Sequence, residues 1–99
     1  MGHSYETVAA SQTNQILGGD GDSGDLLSKL IIVPATTSPG AVSVKDGEGT
    51  AITVFTGGSS SVADLAPVTL ELDMNSRSGP WKITTGANVS VIAIGNFGV

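Results

Sequence analysis

Apolar residues in this chain recur at every second position, and no stretch carries the 3.6-residue apolar period of a helix of normal length. That restricts the fold to paired strands. The clearest case is Ala41-Val42-Ser43-Val44-Lys45, which alternates apolar and polar side chains. Asp46-Gly47-Glu48-Gly49 then supplies a turn, and Thr50-Ala51-Ile52-Thr53-Val54-Phe55-Thr56 alternates again. Asp-Gly between two such runs is among the strongest hairpin signals, because glycine accepts the positive φ of a tight turn. Pro67-Val68-Thr69-Leu70-Glu71-Leu72-Asp73 also alternates and puts Val68, Leu70 and Leu72 on one face.

The remaining segments fit the same pattern. Leu26-Leu27-Ser28-Lys29-Leu30-Ile31-Ile32-Val33 has a β-branched centre and reads as a buried strand that stops before Pro34. Asp25 could cap a helix there, but the run is too short for one. Trp81-Lys82-Ile83-Thr84 and Asn88-Val89-Ser90-Val91-Ile92-Ala93-Ile94 suggest a final hairpin around Thr85-Gly86-Ala87. In its second strand Val89, Val91 and Ala93 alternate against Ser90, Ile92 and Ile94, so the end of that strand reads as buried on both faces. Between these elements lie Gly/Ser/Pro/Asp turns, including Gly57-Gly58-Ser59-Ser60-Ser61, an exposed loop. Residues 1–15 are polar apart from the β-prone Tyr5-Glu6-Thr7-Val8-Ala9 and read as an extended arm or an edge strand. The expectation is an N-terminal arm, 1–15, and one all-β domain, 16–99, of about seven short strands in a sandwich or barrel.

Composition narrows what such a domain can do. A chain of 99 residues is one domain with a thin core. Cysteine is absent, which removes disulfides and thiolate zinc sites as staples and leaves self-association. Four Lys+Arg against nine Asp+Glu give a net charge of −5, the wrong sign for binding nucleic acid without help. The longest apolar run, Leu30-Ile31-Ile32-Val33, is too short to span a bilayer as a helix. Residues 1–15 offer neither the basic nor the apolar region of a secretory signal, so synthesis and residence in a cytosol, or in an assembly formed there, are expected.

No catalytic constellation emerges. His3 is the only histidine, and nothing near it in sequence would fix it in a relay or a metal site. Asp20, Asp22 and Asp25 crowd a Gly-rich turn and could chelate Ca²⁺. The spacing departs from an EF-hand loop, however, with Gly24 on a ligand position and Ile31 where a Glu should stand. A solvated turn without metal is expected, and no cofactor is implied. Gly18-Gly19-Asp20-Gly21 lacks the Lys-Ser/Thr of a phosphate cradle. Asn88-Val89-Ser90 matches a glycosylation acceptor by letters only. Glu71 and Asp73 share a strand face opposite Leu70 and Leu72 and read as an ordinary solvent face, not a hydrolytic pair. Trp81 is expected as a packing anchor in the core or at a subunit contact, ahead of a platform for a sugar ring. Arg77 could pair with Asp73 or with a partner chain.

Residues 32–47 and 79–91 resemble stretches of the short, Gly/Thr-rich, cysteine-free β-proteins encoded among the head and tail genes of tailed phages. Within that group the chain is most similar in texture to head decoration, or cement, proteins. The resemblance implies a small β-sandwich or jelly-roll-like barrel without enzymatic activity, located in the virion. It implies contact with the major capsid protein and with copies of itself, a trimer being preferred, and no nucleic-acid or membrane partner. Tyr5, Val8 and Ala9 of the arm, together with Trp81 and Arg77, are the expected partner-binding residues. On that reading the arm adds a strand to a neighbour, and the body from Ile16 folds without it. A tail-fibre, tail-spike or baseplate component and a carbohydrate-binding module with Trp81 as its platform are the alternatives.

Overall fold

The computed structural model describes residues 4–18 and 25–97. Among them it holds eight strands and no helix. These are β1 (Ser4–Val8), β2 (Gln15–Ile16), β3 (Leu26–Pro34), β4 (Val42–Asp46), β5 (Ile52–Phe55), β6 (Val68–Asn75), β7 (Trp81–Thr85) and β8 (Val89–Asn96). They form two four-stranded antiparallel sheets, ordered β1-β8-β3-β6 and β2-β7-β4-β5. The all-β sandwich expected from the alternation is the fold observed.

The strand order has a simple origin. β4 and β5 are a local hairpin, and outward from it β3 meets β6, β2 meets β7 and β1 meets β8. This long antiparallel hairpin is rolled up so that β3 also pairs with β8, and β4 with β7. That connectivity is the jelly roll, a way of wrapping strands into two packed sheets with few open edges. Every connection other than the β4–β5 turn therefore crosses from one sheet to the other at an end of the sandwich.

Alternation decides what lies between the sheets. Val8, Leu30, Ile32, Val91 and Ala93 face inward from one sheet, Val42, Val44, Trp81 and Ile83 from the other, and all are buried. Each large apolar side chain removed from water contributes about 1.5–3 kcal/mol, against a comparable entropy cost for ordering the chain. The packing thins toward β5 and β6, where Val54, Phe55, Val68, Leu70, Leu72 and Met74 are only partly buried.

At one end, the β1–β2, β3–β4, β5–β6 and β7–β8 connections converge on three stacked glycines. A Cβ on Gly57 would lie 2.4 Å from the Gly40 carbonyl oxygen, and one on Gly40 would lie 2.8 Å from the Gly86 Cα. Backbone bonds hold the stack: Gly40 N–H donates to Ala87 O (2.8 Å), Gly86 N–H to Ala41 O (2.8 Å) and Gly58 N–H to Pro39 O (2.8 Å). The β1–β2 connection is tied on top. Ser11 N–H donates to Gly86 O (2.9 Å), and the buried Thr85 hydroxyl donates to Ala9 O (2.6 Å) and accepts from Gln12 N–H (3.0 Å).

Three expectations change. The N-terminal segment is not an arm that reaches away: β1 pairs along its whole length with β8, and Val8 is fully buried in the core. Tyr5-Glu6-Thr7-Val8 thus takes the edge-strand alternative within its own domain, because β8 has an open side and Val8 completes the inward row. Trp81–Thr85 and Val89–Asn96 do not form a hairpin; they lie in different sheets. Gly86 packed under Gly40, and Asn88 at φ 62°, turn the chain across the sandwich instead. The strand beyond the expected seven is the two-residue β2, held on β7 by Gln15↔Ile83 and Ile16↔Lys82.

Two outcomes are expected. Gly57→Ala adds a collision with two backbone carbonyls to the strain of φ 62°, whereas Gly58→Ala meets nothing within 4 Å and carries only the strain of φ 110°. Urea denaturation should show Gly57→Ala losing about 2–4 kcal/mol and Gly58→Ala losing clearly less. A chain starting at Ile16 lacks β1 and Val8, so its circular dichroism and melting should show loss of the cooperative β-fold. Retention of both would restore the arm.

Candidate interaction surface

The two sheets are finished differently on their outer faces. On the β2-β7-β4-β5 sheet the outward row Thr84–Ser43–Thr53 is polar, and Lys82 pairs across to Lys45. Lys82 also reaches Glu48 at 3.7 Å. Apart from Ile16, 41% exposed beside Lys82 on the edge strand, this is the solvated face usual for an antiparallel sheet. The β1-β8-β3-β6 sheet is the opposite. Register places Thr7–Ile92–Ile31–Thr69 in one outward row and Tyr5–Ile94–Lys29–Glu71 in the next, with Ser90–Val33 beyond. Ile31, Val33, Ile92 and Ile94 are partly exposed in the middle of that face, and Tyr5 is 73% exposed at its edge. Its only described ion pair is Lys29–Glu71, at 3.9 Å.

The expected partner-binding residues fall in different places. Tyr5 is on this apolar face. Val8 is in the core and out of reach of any partner. Ala9 is exposed, but its carbonyl is taken by the Thr85 hydroxyl. Trp81 is 3% exposed, and its indole N–H donates to Asp25 O at 3.0 Å. It is the packing anchor, and it offers no ring face to a sugar or a subunit. Arg77 is exposed on the β6–β7 connection, and its backbone N–H, not its guanidinium, is engaged, by Asp46 (2.9 and 3.0 Å). Asp73 instead accepts from the Ser28 hydroxyl (3.2 Å), so the expected Arg77–Asp73 pair is not among the described ion pairs.

Ile31, Val33, Ile92 and Ile94 were not singled out as partner-binding residues, although a signal existed. Both Leu30-Ile31-Ile32-Val33 and Val91-Ile92-Ala93-Ile94 are apolar at consecutive positions, so each strand has an apolar outer face as well as an inner one.

The polar side chains of the connections serve the backbone. The Asp46 carboxylate accepts Arg77 and Ser78 N–H groups, and the Ser78 hydroxyl donates to Asp46 O (2.7 Å) and accepts from Glu48 N–H (3.0 Å). Gly47, at φ 53°, lies so close to Ser78 and Gly79 that a Cβ would come within 2.6 Å of either. Glu6 points between the sheets at the β1 edge and accepts from Gly18 N–H (2.8 Å) and Gln15 Nε2 (2.8 Å). Asp25 is buried and bonds through its backbone to Ser76 and Trp81. Asp20, Asp22 and His3 lie outside the described residues. Among the described residues no three His, Cys, Asp or Glu side chains are placed to hold a metal ion.

No family model matches the chain, and no curated protein matches it. Among solved structures it is similar to a chain of the virus-like particle of the extra small virus of the giant freshwater prawn, Macrobrachium rosenbergii. The identity is 13%, 98% of this chain and 77% of that chain are covered, and the TM-score is 0.40. At that identity and score the likeness carries no functional weight.

The geometry of the Asp46 clasp gives a direct expectation. Asp46→Ala leaves the Arg77 and Ser78 N–H groups of the β6–β7 connection without their acceptor, and chemical denaturation should show a loss of about 1–3 kcal/mol. Arg77→Ala removes an exposed side chain from the same loop and should stay within about 0.5 kcal/mol of wild type.

Proposed function

We propose that this chain is a non-enzymatic structural protein of a virion, and more narrowly a decoration, or cement, protein on the head of a tailed phage. The observation that carries the reading is the use made of the polar side chains. Glu6, Asp46, Ser78, Thr84 and Thr85 all bond to backbone groups of the connections. They stiffen the ends of the sandwich. A cement protein requires such a body: rigid, and with a surface that matches a lattice.

Two further observations support the reading. The jelly-roll connectivity is shared by viral capsid and lectin domains, though that is an analogy of fold and not of function. The carbohydrate-binding alternative depended on Trp81 as a platform, and Trp81 is buried and hydrogen-bonded. The partners proposed are the major capsid protein and other copies of the chain, with residence in the virion. A tail or baseplate component would use the same β-body, and location on the particle separates the two.

The test is co-sedimentation of the purified chain with undecorated heads and, separately, with isolated tails. Saturable binding to heads, with heads becoming more resistant to heat, is the expected result. Binding to tails alone, or to neither, contradicts the decoration reading.

A further inference from the structure

We propose that the outer face of the β1-β8-β3-β6 sheet pairs with the same face of a second copy, about a two-fold axis parallel to the strands between β8 and β3. This goes beyond the virion reading and does not depend on it.

The argument starts from the difference between the two outer faces. An antiparallel sheet that faces water on one side alternates apolar-in with polar-out. The Lys45, Lys82, Ser43 and Thr84 face obeys this rule, and the Ile31, Val33, Ile92 and Ile94 face does not. The exposed apolar side chains of the other sheet, Ile16 and Ile52, sit on its two edge strands, whereas Ile31, Val33, Ile92 and Ile94 occupy the two central strands of this one, so in a chain with only 13% charged residues the apolar centre is peculiar to this face. A contiguous apolar patch of this kind on a small domain marks an interaction surface.

The occupant is argued from self-complementarity. A two-fold axis parallel to the strands lays β1 over β6 of the partner subunit and β8 over β3 of the partner subunit. In the first row Ile92 meets Ile31 of the partner subunit, and Thr7 meets Thr69 of the partner subunit. The contact then repeats by symmetry, as an isologous interface requires. In the next row Ile94 covers the aliphatic stem of Lys29 of the partner subunit, and the Tyr5 hydroxyl faces Glu71 of the partner subunit. Lys29 and Glu71 are already 3.9 Å apart within each copy, so no like charges oppose one another. Tyr5, 73% exposed, becomes a rim anchor with a carboxylate for its hydroxyl.

Area agrees. The two longer dimensions of the molecule are 36 and 27 Å. The sheet itself, four strands about 4.8 Å apart and up to nine residues long, spans roughly 20 by 30 Å, so covering nearly all of it buries on the order of 500 Å² per copy, at the low end of specific association. The dimer is therefore expected at micromolar concentration, not as an obligate unit. The trimer preferred from the sequence drew on analogy with lattice positions, whereas this face matches itself about a two-fold.

The experiment is sedimentation equilibrium of the full chain from about 1 to 300 µM, with circular dichroism and melting of every variant. Wild type should follow a monomer–dimer equilibrium. Ile92→Asp should weaken it at least a hundredfold and keep the β spectrum. Should Ile92→Asp fail to fold, Tyr5→Ser and Thr69→Arg, both at exposed positions, should each weaken the dimer about tenfold or more. Thr53→Asp on the other sheet should leave it unchanged. A wild-type monomer throughout, a trimer, or a dimer indifferent to Tyr5→Ser and Thr69→Arg overturns the proposal. A wild-type monomer whose binding to heads is abolished by Tyr5→Ser and Thr69→Arg also overturns it, and assigns the face to the capsid while the virion reading stands.

Discussion

The fold depends on backbone meeting backbone without side chains between. Gly57, Gly40 and Gly86 lie against one another where four connections converge, and a Cβ on any of them would come within 2.8 Å of a neighbour's backbone atoms. That closeness lets Gly40 bond to Ala87, Gly86 to Ala41 and Gly58 to Pro39. Gly57 also has a φ of 62°, which other residues adopt only with strain. Remove this contact and the chain loses the corner at which it passes between sheets after β3, β5 and β7. The opposite end uses the same device twice, with Gly47 against the 78–79 backbone and Gly95 against the Leu26 carbonyl, and adds the Asp46 carboxylate as an acceptor for the β6–β7 connection. A thin core without disulfides is thus closed at both ends by main-chain hydrogen bonds. Each is worth about 0.5–1.5 kcal/mol net, and together they act cooperatively with the core.

Much of this architecture was legible in the residues. Val42/Val44, Ile52/Val54 and Val68/Leu70/Leu72 alternate because one side of each strand faces the other sheet, and that signal is local. Asp46-Gly47 marked the one hairpin whose two strands are neighbours in both sequence and space. The final pair was read as a hairpin because Thr85-Gly86-Ala87-Asn88 has the composition of a turn. Whether such a segment folds back within a sheet or crosses to the other depends on what Gly86 packs under, and Gly40 lies 46 positions away. Residues 1–15 were read as an arm for the same kind of reason. The segment looked solvent-facing, but the Glu6 carboxylate accepts from Gly18 N–H, and the Gln12 and Asn14 backbone N–H groups donate to the Thr85 and Thr84 hydroxyls.

The surface was legible in part. The doubly apolar end of β8 was visible in Ile92 and Ile94, and the unbroken run in β3 was visible too. Their adjacency was not, because β3 and β8 are joined only by the rolled topology. Tyr5 was picked out as a strand that would pair by its edge. In the structure that edge pairing is satisfied internally by β8, and what Tyr5 presents to solvent is its ring on a sheet face. The shift from edge to face changes the kind of contact expected, from added backbone hydrogen bonds to buried side chains.

The central claim is that this apolar face is covered when copies meet, and the chain carries its own reporter for it. Tyr5 is the only tyrosine and stands 73% exposed at the rim of the face. Hydroxyl-radical footprinting, read residue by residue across a concentration series, measures its exposure directly. The account predicts that labelling of Tyr5 falls at least several-fold as concentration rises into the hundreds of micromolar, while Leu65, 52% exposed on the β5–β6 connection, stays constant. Equal labelling of Tyr5 at every concentration would contradict it.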